Sequence, residues 1–406
     1  MKRQRIAQVS VHGCPLRSLG GRDTGGMNVY VRELSAELGR RGIAVDVLTR
    51  WHEPAEPEVM SIGERARLVH LEAGGPQDMP RYDIYHYLPQ FVHGVQRLQE
   101  REGIGYDLIH SHYWLSAHAA RELKRRVGIP YVATFHTLGA VKNRARPEEQ
   151  EPELRIAVER EAIAGADRII AFTAEERDDL VATYGAEPER VRIVPCGIDL
   201  ELFRPQDQGR ARQALGLPQR SPLLLFAGRI QPIKGIDVLL EAVARLGRHD
   251  GLRLLIVGGD SESDEELARL RALCRELAIE ERVTFWGAAP HEAMPLFYSA
   301  ADVCVVPSYH ESFGLTAIEA LACGTPVVAS RAGALATTVR DGESGFLVAE
   351  RSAEAFAQRL ELILGDGGLG RRMGEAGRLS VQRYRWSAVA DEVLAVYREL
   401  AETYVS

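Results

Sequence analysis

Along the chain, short runs of β-branched and other apolar residues alternate with amphipathic stretches almost from end to end. In the first half the apolar runs lie at 6–11, 45–49, 67–71, 108–111, 131–135, 169–172 and 191–194. Such short, largely apolar runs suit strands covered on both faces of a parallel sheet. Between the first two, MNVYVRELSAELGRRG puts Val31, Leu34 and Leu38 on one helical face and closes on Gly42, a residue suited to the left-handed position that ends a helix. Repetition of strand, helix and strand predicts βαβ units and therefore the α/β class.

The alternation breaks at PCGIDLELFRPQDQG, residues 195–209, which is rich in proline, glycine and charge and reads as a linker. A fresh series then runs through 223–226, 252–257, 283–286, 303–306, 327–329 and 345–348. The pattern predicts two doubly wound, Rossmann-like domains, 1–200 and 201–386. Open parallel sheets take ligands beyond the carboxyl ends of their strands, so the two are expected to face each other across a cleft. Length agrees, since 406 residues exceed the roughly 100 to 200 that one domain usually organises. After RYRW the chain is helical again, with Val393, Val396 and Leu400 on one face.

Composition narrows the class. Apolar residues make up 45% and charged residues 26%, the profile of a soluble globular enzyme. A net charge of -7 supplies no global attraction for nucleic acid or an anionic membrane. Cys14, Cys196, Cys274, Cys304 and Cys323 are odd in number and never spaced C-x-x-C, so neither a disulfide framework nor a zinc site is expected, and a reducing cytoplasm is the expected setting. The apolar run in MKRQRIAQVSVHGC is too short for a signal peptide, and no stretch approaches the roughly 20 residues of a membrane span. An isologous homodimer is the default expectation for assembly.

Three stretches carry distinctive chemistry. In VHGCPLRSLGGRDTGGMNVY, Gly13, Gly20, Gly21, Gly25 and Gly26 make a loop able to bring bare backbone N–H groups to an anion at a helix start, although it is not the G-x-G-x-x-G of dinucleotide sites. In LLLFAGRIQPIKGIDVLLEAV, Arg229 and Lys234 follow a strand and can converge on one polyanion, or stand as a solvated basic pair. In HESFGLTAIEALACG a helix begins near Gly314 with a dipole of roughly +0.5 charge at its start, an end suited to a diphosphate. Glu311 and Glu319 flank that start, and phosphate would repel both. They suit hydroxyl donors, unless Glu311 only complements the dipole and Glu319 pairs within the protein.

Taken together, GGMNVYVREL, HSHYWLSAHAA, FHTLGAVKN, GRIQPIKG and HESFGLTAIEALACGTPVVAS resemble the retaining GT-B glycosyltransferases of family four over nearly the whole chain. Within that family the similarity is greatest to enzymes that place N-acetylglucosamine on inositol phosphate in mycothiol synthesis, and next to sucrose-phosphate synthases. The resemblance implies that Arg229 and Lys234 hold the donor diphosphate, approached by Gly25, Gly26 and Asn28. Glu311, with the backbone N–H groups of Phe313, Gly314 and Leu315, would hold the donor sugar or β-phosphate. Glu319 would take the ribose hydroxyls, and backbone near Gly287 and Ala288 the base. His136 would lie beside the reacting carbon, with Arg81, Tyr113, Thr137 and Arg155 gripping the acceptor phosphate. Arg81 stands where lysine is expected, and HGCPLRSLGGRD leans toward the sucrose-type enzymes. Arg155 also suits an i,i+4 ion pair with Glu159. The closing helix, 387–406, would return to the first domain.

The implied reaction moves N-acetylglucosamine or glucose from a UDP-sugar to a hydroxyl of a small phosphorylated polyol or sugar, with retention. The leaving phosphate would take the acceptor proton. The UDP-sugar is a substrate, so no cofactor is implied, nor any metal. Transfer to fructose 6-phosphate is the alternative within the family. A nucleotide-sugar epimerase and a non-catalytic nucleotide-sugar sensor are the alternatives outside it.

Overall fold

The computed structural model describes residues 4–17, 25–148, 150–247, 251–259, 264–349 and 352–405. Gly20 and Gly21 lie outside the described residues. Two compact units form, one from the described chain up to Gly197 and again from Trp386 onward, the other from Ile198–Arg385.

The first unit is built on strands β1 (Arg5–Val9), β2 (Ala44–Arg50), β3 (Val59–Gly63), β4 (Ala66–Leu71), β5 (Leu108–His112), β6 (Tyr131–Thr134), β7 (Arg168–Ala171) and β8 (Val191–Ile193). Their order across the sheet is β3-β4-β2-β1-β5-β6-β7-β8. Each neighbouring pair is parallel except β3 with β4, a two-stranded turn at the sheet edge. The apolar pattern did not reveal β3, because its residues are all exposed or half-buried and neither face demands a continuous apolar run. The helix Gly26–Arg40 follows β1, and Gly42 sits beyond its end at φ +86°, the left-handed position expected of it.

The helix Trp386–Val405 belongs to this unit. Val393, Val396 and Leu400 are buried, as their spacing requires. Beside them Tyr397 reaches Gln8 and His110, while Glu399 pairs with Arg168 at 3.0 Å and Arg192 at 2.8 Å.

The second unit holds β9 (Leu223–Ala227), β10 (Arg253–Val257), β11 (Val283–Gly287), β12 (Val303–Val306), β13 (Val327–Ser330) and β14 (Gly345–Val348), ordered β11-β10-β9-β12-β13-β14 and all parallel. Leu223 and Leu225 of β9 join Cys304 and Val306 of β12 in one core layer. Leu224 and Phe226 join Val303 and Val305 in the layer on the other face. Both faces of β9 and β12 are thus apolar, which is why the sequence shows runs rather than alternation there. Among the described residues no helix is long and apolar enough to cross a membrane.

In each sheet the connections reverse direction at one place, between β1 and β5 in the first and between β9 and β12 in the second. Adjacent loops leave such a point on opposite sides, opening a crevice at the strand ends where ligands of doubly wound sheets bind.

Candidate active site

At the β9/β12 switch point of the second unit, the chain leaves β9 through Arg229 and the one-turn helix Pro232–Lys234, and leaves β12 through Glu311. Lys234 Nζ donates to the Glu311 carboxylate at 2.6 Å. The two loops are tied by Tyr309 N–H to the Ile233 carbonyl at 2.9 Å. They approach so closely that a Cβ on Gly235, at φ +64°, would lie 2.3 Å from the Pro307 carbonyl oxygen. Behind Glu311, the Ala334 N–H donates to its carbonyl at 2.9 Å. Burial would push the Glu311 carboxyl up, but Lys234, with smaller contributions from His310 and Arg229, overcomes it and holds the group below its ordinary value. Glu311 is therefore ionised, and Lys234 keeps two further donors after serving it.

The helix Leu315–Ala322 begins just beyond, capped by Gly314 at φ +67° with no side chain covering the first N–H groups, which belong to Leu315 and its successors. Phe313 and Gly314 thus lie in the turn that delivers the chain from Glu311 to that helix start. One turn further in, Glu319 is buried, accepting from Tyr298 Oη at 2.7 Å and meeting His291 Nε2 at 2.7 Å. Both carboxylate oxygens are anchored, and each retains capacity for another donor. Gly287 ends β11 at φ +89°, with its carbonyl accepting from Gly258 N–H at 2.8 Å.

The first unit's switch point is built differently. The chain leaves β1 through Gly13 and Cys14, and Asn28 in the first turn of the next helix holds this loop, its Nδ2 donating to the Cys14 carbonyl at 2.7 Å and its Oδ1 accepting from Gly25 N–H at 3.2 Å. Asn28 is buried, so its role here is to fix the loop. A Cβ on Gly25 would meet no atom within 4 Å, so packing does not demand glycine there. Opposite, Tyr113 opens a helix at φ +77° and its ring lies 4.4 Å from that of His12. Arg81 Nη1 donates to its hydroxyl at 3.2 Å.

His136 follows β6 at φ +63°. Of four non-glycine residues with positive φ among those described, two are Tyr113 and His136, an arrangement that costs about 1–3 kcal/mol each and clusters at functional positions. A buried polar chain supports His136. His112 Nε2 donates to Gln8 Oε1 at 2.6 Å, so its Nδ1 accepts from His136 Nε2 at 2.9 Å. Gln8 Nε2 donates to Tyr397 Oη at 3.2 Å, and that hydroxyl meets His110 Nδ1 at 2.7 Å, which passes the chain to Thr134 at 2.8 Å. Burial, reinforced by His110 and His12, holds His136 well below its ordinary value, so the ring is neutral.

Arg155 differs from its expected placement as a direct acceptor ligand. Its side chain has no exposed surface; Nε donates to Glu159 at 2.7 Å, Nη2 to the Thr137 hydroxyl at 2.9 Å, and Nη1 lies 3.1 Å from Glu151. Its guanidinium also covers the Tyr113 ring at 4.8 Å. The i,i+4 pair with Glu159 is the reading of the sequence that forms, and it leaves Arg155 bracing Thr137 and Tyr113 from behind. Thr137 itself is half-buried, as is Arg81. Sequence reasoning missed Gln8, His110, His112, Tyr397, Tyr298 and His291. Polar residues inside apolar runs, as in IAQVSV and LIHSH, were the available signal.

Known proteins share both the sequence and the fold. The family description Glycosyltransferase Family 4 matches residues 24–202 and Glycosyl transferases group 1 matches 207–380. A D-inositol 3-phosphate glycosyltransferase of Acidothermus cellulolyticus is 42% identical over 98% of this chain and 91% of its own. The chain belongs to glycosyltransferase family 4. Another such family 4 relative, from Nocardia farcinica, is 44% identical over 97% of this chain and 89% of its own. Among solved structures, sucrose-phosphate synthase from Thermosynechococcus elongatus matches with a TM-score of 0.92 and 38% identity over 99% of this chain and 100% of that one. The Anabaena protein HepE, in complex with UDP and glucose, matches with a TM-score of 0.78 at 19% identity over 98% and 100%, a likeness of fold alone. This family 4 glycosyltransferase has the GT-B fold class, with two Rossmann-like domains, as its sequence resemblance implied.

Proposed function

We propose that the protein is a retaining hexosyltransferase that moves N-acetylglucosamine or glucose from a UDP-sugar to a hydroxyl of a small phosphorylated polyol or sugar, with an inositol phosphate as the acceptor. The observation that carries the reading is the Lys234–Glu311 pair, set beside Arg229 and the open start of helix Leu315–Ala322 at a switch point. Departure of UDP builds negative charge on the β-phosphate. Arg229, the two spare Lys234 donors and the helix N–H groups meet that charge without reorganising, which is the dominant form of electrostatic catalysis. Glu311 is ionised and takes a sugar hydroxyl; Glu319, anchored by His291 and Tyr298, takes the ribose; backbone at Gly287 faces the base.

In the first unit, Gly25 and Gly26 leave backbone open for close approach by the donor. His136 accepts a hydroxyl at Nδ1 as a neutral ring, adding no positive charge beside a sugar that becomes cationic as the bond breaks. Arg81, Tyr113 and Thr137 hold the acceptor phosphate, and Arg155 acts as a positioning residue through the last two. The relatives named D-inositol 3-phosphate glycosyltransferase support the inositol phosphate acceptor. Fructose 6-phosphate is the second reading, favoured by the 38% identity to a sucrose-phosphate synthase over the full chain.

Release of UDP measured with and without inositol phosphates and hexose phosphates tests this. Release dependent on inositol phosphate, with the α-configured product of a UDP-α-sugar, is expected. Release only with fructose 6-phosphate selects the second reading; nucleotide-sugar binding without release for any acceptor makes the protein a sensor and overturns both.

A further inference from the structure

A separate cluster lies in the first unit, apart from the residues assigned to the reaction. Cys14 Sγ, His52 Nε2, a Glu56 carboxylate oxygen and His70 Nε2 all lie within 4.8 Å of one another. Glu56 Oε2 stands 3.4 Å from His52 Nε2 and 3.3 Å from His70 Nε2, and Cys14 Sγ stands 4.0 Å from His70 Nε2. Tetrahedral zinc, with bonds of about 2.0–2.3 Å, separates its nitrogen and oxygen ligands by about 3.4 Å and sulfur from nitrogen by about 3.6 Å. The two Glu56–histidine edges match such a tetrahedron, and the Cys14–His70 edge is about 0.4 Å longer than ideal. No pair is more than 4.8 Å apart, so small side-chain movements would close the set on one ion.

Ring orientation points the same way. His70 Nδ1 lies 2.7 Å from the Pro57 carbonyl, and His52 Nδ1 lies 3.4 Å from the Arg50 carbonyl. A carbonyl oxygen only accepts, so Nδ1 carries the proton in each ring and a neutral ring turns its Nε2 lone pair toward Glu56. Zinc-bound histidines are oriented in this way, through a carbonyl on the other ring nitrogen. His52 Nε2 and Glu56 Oε2 are both buried with no hydrogen bond to satisfy them. Two lone pairs, a carboxylate and a cysteine sulfur directed at one point repel unless a cation lies among them or one ring takes up a second proton, and a metal ion satisfies all four atoms at once where a proton satisfies two. The mixed set of sulfur, two imidazoles and one carboxylate suits zinc, and four protein ligands leave no position for substrate.

We propose that Cys14, His52, Glu56 and His70 form a structural zinc site. It joins the loop after β1 to the segment between β2 and β3 and to β4. Because the Cys14 carbonyl also receives Asn28 Nδ2, the ion and the first helix would hold the same residue from two sides, fixing the Gly13–Cys14 backbone. The proposal stands independently of the reaction assigned above.

The test uses the full chain, stripped with a chelator and dialysed, and titrated with Zn2+ and with Co2+ as a coloured substitute. One equivalent of either is expected to bind; Co2+ should show the absorption of a tetrahedral site together with a thiolate charge-transfer band. Cys14→Ser should lose that band, and His70→Gln should weaken Zn2+ by at least about tenfold, the lower end for removing a ligand or its support. Wild-type protein alone supplies a second reading, since one equivalent of Zn2+ should protect Cys14, located by peptide mapping, from a thiol reagent. Absence of stoichiometric binding, a Co2+ spectrum unchanged in Cys14→Ser, or unprotected Cys14 in the presence of Zn2+ would each overturn the site.

Discussion

The two switch points share a plan and differ in their materials. In the second unit, charge does the positioning: Lys234 and Glu311 pair across the point where β9 and β12 diverge, and the bends around them fall on Gly235 and Gly314. In the first unit the groups behind His136 are uncharged, a relay of Gln8, His110, His112 and Tyr397, while the buried Arg155–Glu159 pair braces Thr137 and Tyr113, and the bends fall on a tyrosine and a histidine instead of glycine. In the proposed reaction, charge would meet the leaving diphosphate and neutral hydrogen bonding would stand near the sugar as it turns cationic, so that one topology would serve two electrostatic tasks through what its loops carry.

The strongest way to break this contrast is Lys234→Met. Removing a preorganised donor to developing charge should lower kcat by about 10²–10³, equivalent to about 2.7–4 kcal/mol, read by steady-state UDP release. A change below tenfold would mean that the charged half does not meet the leaving group. His112→Phe probes the other half. It leaves Gln8 and His136 without their shared partner inside the protein, and urea unfolding should show a loss of about 1–3 kcal/mol.

Glu176 sharpens the comparison, because burial raises even this carboxyl to about 7, against the Phe172 N–H bond that lowers it and with Asp179 adding to the rise. Its folded state binds a proton that the unfolded chain, at about 4.5, has already released. The stabilising contribution is thus complete below about pH 4.5 and is lost as pH rises to about 7. Glu176→Gln should remove that slope and raise stability above pH 7 by about 1–2 kcal/mol for this half-buried side chain, measured by urea unfolding across the range. The smallest effect is expected at Ala278, whose φ of +54° closes a helix in the second unit away from either site. Ala278→Gly should stabilise by at most about 1 kcal/mol with kcat unchanged, separating strain in a turn from strain held at His136 and Tyr113.

Much of this was legible before the structure. Thirteen of the strands announce themselves as short apolar or β-branched runs, most of them because a parallel strand buried on both faces must be apolar throughout, whereas β3, with no buried residue and its apolar side chains interrupted by a serine, does not. Arg229, Lys234, Glu311 and Gly314 stand out because glycines and charges beyond a strand are conspicuous in a chain. The support behind His136 is harder to see. Gln8 and His110 are adjacent only because β1 and β5 pair in register, and Tyr397 reaches them from 389 and 287 residues along the chain. Arg155 showed its charge in the sequence but not its burial, and burial turns a candidate ligand into a brace. Cys14, His52, Glu56 and His70 carry no motif spacing, since three separate segments supply them.

The most direct test of the central claim compares UDP with UMP, which differ by the phosphate assigned to Lys234, Arg229 and the helix start. Titration calorimetry on the wild type should show UDP binding at least about tenfold tighter than UMP, a difference of roughly 1.4 kcal/mol or more. In Lys234→Met and Arg229→Met that preference should largely vanish while UMP affinity holds. An undiminished preference for UDP in both variants would contradict the account.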